Sequence, residues 1–109
     1  MQDCLADILR ASDRKITVEE IQRKVADYYN IRLSDLVGSK RLRAFARPRQ
    51  IAMYLSKRMT SRSLPDIGRR FGGKDHTTVM HGVKRIEELQ MTDSQIADDI
   101  EMLRRALEA

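Results

Sequence analysis

The sequence predicts an all-α fold, a compact helical domain that contains a helix-turn-helix. Apolar residues recur at three- and four-residue spacing along most of the 109 residues, and no stretch shows the strict alternation of a half-buried strand. Aromatic residues make up only 5% of the chain and tryptophan is absent, which favours a core of Leu, Ile, Val and Met. A chain of this length is expected to form one domain around one core.

The first part of the chain predicts three short helices. An amphipathic stripe at residues 5–9 predicts a brief N-terminal helix. In the stretch ITVEEI, Thr17 is placed to cap the next helix and Glu20 to reach back to it, which is the pattern of a capping box. That helix is expected to run to about Tyr29, and a single helical turn ended by Gly38 follows it.

The middle of the chain predicts a basic loop and then the helix-turn-helix. The stretch SKRLRAFAR at residues 39–47 is basic and lacks helical spacing, which indicates a loop. A helix is expected to open at Pro48, because proline is tolerated in the first turn of a helix. A short helix at about 64–71, a glycine turn at 72–73 and a recognition helix at about 76–90 come next.

The C-terminal stretch predicts one further helix. Thr92 and Gln95 have the spacing of a capping box for it. An apolar stripe on this helix is expected either to pack on its own domain or to serve as a dimer helix. The stripe consists of Ile96, Ile100, Leu103 and Leu107.

The charge distribution predicts a polyanionic ligand. The net charge is +5, but residues 36–65 carry eight Lys and Arg residues and no carboxylate, although acids are frequent on both sides of this stretch. Thirty residues without an acid, in a chain that is 34% charged, suggest a surface for a polyanion such as nucleic acid.

The single cysteine and the hydropathy indicate a cytoplasmic protein. Cys4 cannot form a disulfide within the chain, which fits a reducing compartment. The sequence contains no apolar run of membrane-spanning length and no signal-peptide stretch.

The densest polar cluster, GGKDHTTVMHG at residues 72–82, does not fit three of the sites it could form. Its glycines lack the spacing of a phosphate-binding loop and follow no strand. His76 and His81 are five residues apart, whereas helical zinc ligands prefer a spacing of four. Asp75 and His76 have no obvious nucleophile to activate. The sequence therefore predicts no enzymatic activity and no cofactor or metal site in this chain.

The same cluster fits a DNA-reading helix. A short helix, a glycine turn and a longer helix whose exposed residues begin with short polar side chains are typical of a helix-turn-helix. On a helical wheel Val79, Val83 and Ile86 share the inner face. The outer face carries Thr77, His81 and Lys84. Asp75 could cap the helix or accept from a cytosine amino group.

The motifs ITVEEIQRKVADYYNI, ARPRQIAMYL and SLPDIGRRFGGKDHTTVMHG together resemble the C-terminal DNA-binding domain of the DnaA family of bacterial chromosomal replication initiators. The resemblance runs in order from about Leu5 to Gln90. It implies binding to double-stranded DNA at the short repeats called DnaA boxes. These repeats lie at the replication origin and at regulated promoters.

The resemblance also implies which residues contact DNA. In the family, the arginine that matches Arg41 enters the minor groove, and Lys74 precedes the base-reading residues within the motif. The matches to residues that meet base edges in the major groove are Asp75, His76, Thr77, Thr78 and His81. The matches to positions along the DNA backbone are Arg49, Gln50, Lys57, Leu64, Pro65 and Met80.

Family members also carry an ATP-binding domain, which implies two parts for this chain. Residues 1–15 are expected to be a linker helix from that domain, and residues 16–109 the helix-turn-helix domain. ATP is expected only in the other domain, and an acidic phospholipid contact is expected near the N-terminal helix. The isolated domain is expected to be a monomer.

Two further hypotheses stay open at this stage. The first is an autonomous helix-turn-helix repressor that binds DNA as a dimer through the C-terminal stripe. The second is a protein- or membrane-interaction module with residues 1–15 as an amphipathic anchor.

Overall fold

The computed structural model describes residues 16–38 and 43–108, apart from the side chains at positions 43 and 44. These residues form six helices and no strand, which confirms the all-α prediction. The helices are α1 (Val18–Tyr29), α2 (Leu33–Val37), α3 (Arg43–Met59), α4 (Leu64–Arg70), α5 (His76–Thr92) and α6 (Ser94–Glu108). The predicted helix at residues 5–9 and the predicted minor-groove residue Arg41 lie outside the described residues.

Helix α1 begins and ends where the sequence predicts. The Thr17 hydroxyl accepts a hydrogen bond from the backbone N–H of Glu20 at 3.1 Å, which satisfies one of the free donors at the helix start. At the other end Asn30 adopts a left-handed conformation with a φ of 56°. Its backbone N–H bonds to carbonyls of the last turn. Asparagine is one of the few residues other than glycine that tolerate this conformation, so it suits the helix exit.

Helix α3 begins earlier than predicted. It runs from Arg43, so the last five residues of the predicted basic loop belong to the helix and only residues 38–42 separate α2 from α3. Pro48 therefore lies inside the helix and is buried, instead of standing in its first turn. A proline removes one helical hydrogen bond. The packing of α3 against the five other described helices outweighs this local cost.

Helix α3 forms the centre of the domain. Every residue from Ile51 to Ser56 is buried, which includes the predicted inner face, and α3 packs most extensively on α5 and α1. The largest of the fully buried side chains are Val18, Ile21, Val25, Leu36, Ile51, Leu55, Ile67, Phe71, Val79, Ile86, Leu103 and Leu107.

Helix α6 packs its apolar stripe on its own domain. The four stripe residues Ile96, Ile100, Leu103 and Leu107 are all buried. A polar contact fixes the helix further, because the buried carboxylate of Asp99 accepts hydrogen bonds from the hydroxyls of Tyr28 (2.6 Å) and Tyr29 (2.9 Å) on α1. In this fold the stripe is therefore not available as a dimer surface.

The cap of α6 differs from the prediction. Asp93 supplies it, since its Oδ1 accepts from the backbone N–H of Gln95 at 3.0 Å and of Ile96 at 3.4 Å. Helix α5 continues through Thr92, whose hydroxyl donates to the carbonyl of Glu88 (3.4 Å). The predicted capping box of Thr92 and Gln95 is wrong, because α5 extends past Gln90 and leaves aspartate, an equally good capping residue, at the junction.

Candidate nucleic-acid interface

Backbone contacts hold the turn between α4 and α5. The Gly68 carbonyl accepts hydrogen bonds from the backbone N–H groups of Phe71 (3.1 Å) and Lys74 (2.8 Å). Gly72 and Gly73 have φ values of 80° and 77°, in the region that favours glycine. A Cβ at Gly68 would lie 2.1 Å from the Lys74 carbonyl oxygen, so the start of α5 approaches α4 as closely as glycine allows. The two helices form the predicted helix-turn-helix.

One face of α5 is fixed in the core. Helix α5 packs on α3 and α4. Val79 and Ile86 are fully buried against these helices, and Val83 and Leu89 are partly buried. Phe71, from the turn, is fully buried beside them. The inner face that the sequence predicts is confirmed, and it fixes the rotation of α5 about its axis.

The other face of α5 presents the predicted base-reading residues to solvent. His76, Thr78 and His81 are exposed, and Thr77 is half-buried. Met80, the predicted backbone contact on this helix, is 46% exposed. Polar side chains of different chemistry therefore lie along one accessible strip that begins at the helix N-terminus.

Asp75 stands at the N-cap of α5 without using its carboxylate as a cap. Its backbone is extended, and the side chain makes no capping hydrogen bond. The Oδ1 atom lies 3.3 Å from Nδ1 of His76, and 71% of the side chain is exposed. Of the two roles that the sequence leaves open, the structure does not show capping, and the carboxylate is accessible to a donor such as a base amino group.

A shallow hollow of about 530 Å³ brings together residues from three elements. Gln50 of α3, Lys74 of the turn, and Thr78 and His81 of α5 all line it. The remaining lining residues are Ala46, Arg49, Met53, Gly82 and Arg85. Arg85 is not among the residues that the sequence predicts to contact DNA, although its spacing of four from His81 could have indicated that it lines the same hollow.

A second group of predicted residues lies at the far end of α3. Lys57 is exposed in the last turn of α3, and at the start of α4 Pro65 is exposed and Leu64 is half-buried. Seven residues separate Gln50 from Lys57, so the two side chains leave the same side of α3 roughly 10 Å apart along its axis. The predicted backbone contacts on this side of α3 therefore lie in the middle of the helix and in its last turn.

Arg49 differs from the other predicted backbone contacts because it is only 9% exposed. Its Nε donates to the Leu36 carbonyl at 2.7 Å and its Nη2 to the Asp35 carbonyl at 2.9 Å. Burial lowers the pKa of this guanidinium. Carbonyls in the last turn of a helix have no partner within the helix, and Arg49 supplies one for the end of α2. The phosphate contact of Arg49 stays a prediction. In the structure, two nitrogens of its guanidinium already donate to carbonyls of the protein's own backbone.

The described residues contain neither a cluster of metal-ligating side chains nor a membrane-spanning helix. Across residues 16–38 and 43–108, no group of three or more His, Cys, Asp or Glu side chains is arranged to hold a metal ion. Within the same ranges, no helix is both long enough and apolar enough to cross a membrane.

The sequence of the helix-turn-helix and of the helices packed against it matches a known family. Residues 18–86 match the family described as the bacterial dnaA protein helix-turn-helix. The chain belongs to this family. The matched range extends from the start of α1 into α5 and contains all of α4 and the first eleven residues of α5, which confirms the DnaA resemblance seen in the sequence.

Several relatives share nearly the whole chain. The chain is 82% identical over 108 residues to the chromosomal replication initiator protein DnaA of Ruegeria pomeroyi and 80% identical over 107 residues to that of Roseobacter denitrificans. These matches cover 99% and 98% of this chain but 23% and 24% of the relatives, so the chain spans about a quarter of their length.

A solved structure agrees with the family assignment. A crystal structure of a DNA replication initiation factor superposes with a TM-score of 0.70 at 30% identity, over 94% of this chain and 32% of that one. Because the helix-turn-helix of this family is a DNA-binding motif, the chain is a DNA-binding domain of the DnaA family.

Proposed function

We propose that the chain recognises DnaA boxes in double-stranded DNA by placing α5 in the major groove. The observation that carries the proposal is the exposed strip of Asp75, His76, Thr78 and His81 on a helix whose opposite face is locked in the core. A carboxylate can accept from cytosine, a threonine methyl can contact a thymine methyl, and an imidazole can donate to a purine. The free N–H groups at the start of α5 suit a nearby phosphate.

The residues around this strip are proposed to hold the DNA backbone. Gln50 and Lys74 border the hollow beside α5, and Lys57 is exposed at the other end of α3. Contacts of this kind set the register of the protein on the duplex without reading its sequence. The proposed backbone contacts are Arg49, Gln50, Lys57, Leu64, Pro65, Lys74 and Met80.

Arg41 is proposed to enter the minor groove beside the site of α5. It belongs to the acid-free stretch and to residues 38–42, which connect α2 to α3. Narrow, A·T-rich minor grooves concentrate negative potential and favour an inserted arginine. The proposed arm therefore extends recognition to the end of the box that α5 does not contact.

The biological role is proposed from the relatives. The relatives that are 82% and 80% identical to this chain are chromosomal replication initiators. We propose that this chain serves the same process at the origin and acts at promoters that carry boxes. The proposed role of this part is binding, without catalysis. Residues 1–15 are proposed to connect this DNA-binding part to an ATP-binding domain. An acidic phospholipid contact is proposed near the same residues. The isolated domain is proposed to be a monomer.

The proposal is tested by comparing a box duplex with a scrambled duplex of the same composition. Specific DNA-binding proteins typically prefer their sites by about 10³-fold or more at physiological salt. Fluorescence anisotropy at several salt concentrations would measure both affinities. Equal affinity for the two duplexes would contradict sequence-specific binding. If that equal binding also weakened with salt, the protein would bind DNA only through the charge of its basic surface.

A further inference from the structure

The connection between α3 and α4 joins two of the proposed contact points on the DNA backbone. Lys57 lies in the last turn of α3, and Leu64 and Pro65 begin α4. Only residues 60–63 separate the two helices. Across residues 57–70 the chain carries five Lys and Arg residues and a single carboxylate. A cation in this connection is therefore held beside the surface on which the DNA backbone is proposed to lie.

Hydrogen bonds fix the backbone of this connection. The Thr60 hydroxyl donates to the carbonyl of Ser56 at 2.6 Å, one of the last four carbonyls of α3. The same hydroxyl accepts from the backbone N–H of Arg62 at 3.3 Å. On the other side of Arg62, the Ser63 hydroxyl caps α4 by accepting from the backbone N–H of Asp66 at 3.4 Å. Arg62 therefore leaves the domain from a defined point, and a ligand has little backbone to order when it binds there.

The guanidinium of Arg62 is accessible and only loosely held. Its Nη1 lies 3.4 Å from Oδ2 of Asp66, and 53% of the Arg62 side chain is exposed. The same Asp66 oxygen lies 3.7 Å from Nε of Arg70. An exposed ion pair of this kind contributes little to stability, so Arg62 can exchange the carboxylate for a phosphate at small cost. Arg70 then continues to balance the charge of Asp66.

The surroundings of Arg62 favour an anion. Arg62 lines a hollow of about 650 Å³ together with Arg58 and the hydroxyl residues Thr60 and Ser61. The described residues that line this hollow include two arginines and no acid. Ser61 is exposed directly beside Arg62 and offers a hydroxyl donor. Guanidinium and hydroxyl groups are the side-chain donors that commonly bind DNA phosphates.

We propose that Arg62, with the hydroxyl of Ser61, binds a phosphate of the DNA backbone beyond the contacts predicted from the sequence. This inference rests on the proposed function and extends its footprint. Gln50 borders the hollow beside α5, Lys57 lies roughly 10 Å farther along α3, and Arg62 lies past the end of that helix. The phosphate is therefore placed next to one end of the box. Such a contact adds affinity without reading a base.

Neutral phosphates test the contact directly. Affinities are measured on a box duplex and on the same duplex with methylphosphonates in place of the phosphates just outside the box, at each end in turn. Neutralisation at one end should weaken the wild-type protein, and Arg62→Ala should weaken binding to the natural duplex by the same factor, roughly three- to tenfold. On the duplex neutralised at that end, Arg62→Ala should lose no further affinity. Additive losses at both ends, or wild-type affinity of Arg62→Ala for the natural duplex, would overturn the proposal.

Three further variants serve as controls, and thermal melting checks that each is folded. Lys57→Ala should still lose affinity when the flanking phosphates are neutralised, because its proposed phosphate is a different one. Arg105→Ala removes a cation that is 74% exposed on α6 and should bind both duplexes as wild type does. Arg62→Lys keeps a positive charge and should retain most of the affinity for the natural duplex. An Arg62→Lys variant as weak as Arg62→Ala would overturn a contact that depends on charge.

A scrambled duplex of the same length distinguishes failure of this inference from failure of the proposed function. Because the contact reads no base, Arg62→Ala should weaken binding to the scrambled duplex by the same factor as to the box and lower the salt slope by about 1. Wild-type affinity and salt slope in Arg62→Ala would overturn this inference and leave recognition of the box intact. Equal affinity of the wild-type protein for the box and the scrambled duplex would instead contradict the proposed function.

Discussion

Replacing Gly68 by alanine tests how closely α4 and the start of α5 approach each other. The new Cβ would stand 2.1 Å from the Lys74 carbonyl oxygen, about 0.9 Å closer than real contacts of this kind. The obstacle is backbone, so α4 or the turn must move. Overpacking of this kind costs about 1–3 kcal/mol, and the helix preference of alanine over glycine offsets about 0.5–1 kcal/mol. We expect Gly68→Ala to destabilise the domain by about 1–2 kcal/mol.

Gly82→Ala is the matched control for this prediction. Its Cβ would lie 3.5 Å from Gln50 and Met53 side-chain atoms, which is an ordinary contact, and Gly82 also lies inside a helix. We expect it to stabilise the domain by about 0.5–1 kcal/mol. Urea unfolding followed by circular dichroism gives both free energies. If Gly68→Ala were as stable as Gly82→Ala, the close approach of the turn to α4 would be refuted.

Two further predictions concern the core and the contact between α1 and α6. Phe71→Ala should lower the free energy of unfolding by about 3–5 kcal/mol because Phe71 is fully buried. Val83→Ala should lower it by only about 1 kcal/mol because Val83 is partly buried. Equal melting temperatures in the two variants would contradict this difference in burial. Tyr29→Phe removes a hydrogen bond of 2.9 Å to the buried Asp99 carboxylate. It should lower the free energy of unfolding in urea by about 1–2 kcal/mol. An unchanged midpoint would show that this bond does not stabilise the contact of α6 with α1.

Elements governed by local chemistry could be predicted from the sequence. The Thr17 cap, the Asn30 exit and the glycine turn at 72–73 all depend on neighbouring residues, and the structure has them as predicted. The inner face of α5 follows from helical spacing alone. The exposed strip of α5 was therefore located correctly, because it lies opposite that face, and its role in reading bases stays a prediction.

Features that depend on tertiary contacts could not be predicted. Pro48 predicts a helix start, but packing allows α3 to begin at Arg43, five residues before the proline. In the sequence, Arg49 is one of several cations in a basic stretch. Its neighbours do not indicate that it donates to the carbonyls of Asp35 and Leu36, which are more than ten residues away. The cap of α6 is Asp93 and not the predicted Thr92. Both residues could cap a helix, and only Asp93 is left outside α5, which continues through Thr92.

The most direct test of sequence reading by α5 is the variant Thr78→Ala, measured on a box duplex and on a random duplex beside Lys57→Ala. Thr78 is exposed on the proposed reading strip, and Lys57 is exposed on α3 away from it. Thr78→Ala should weaken binding to the box by about 1–3 kcal/mol and leave binding to random DNA nearly unchanged. Lys57→Ala should weaken both by the same factor. Equal losses on the two duplexes for Thr78→Ala would contradict the claim that this face of α5 reads the sequence.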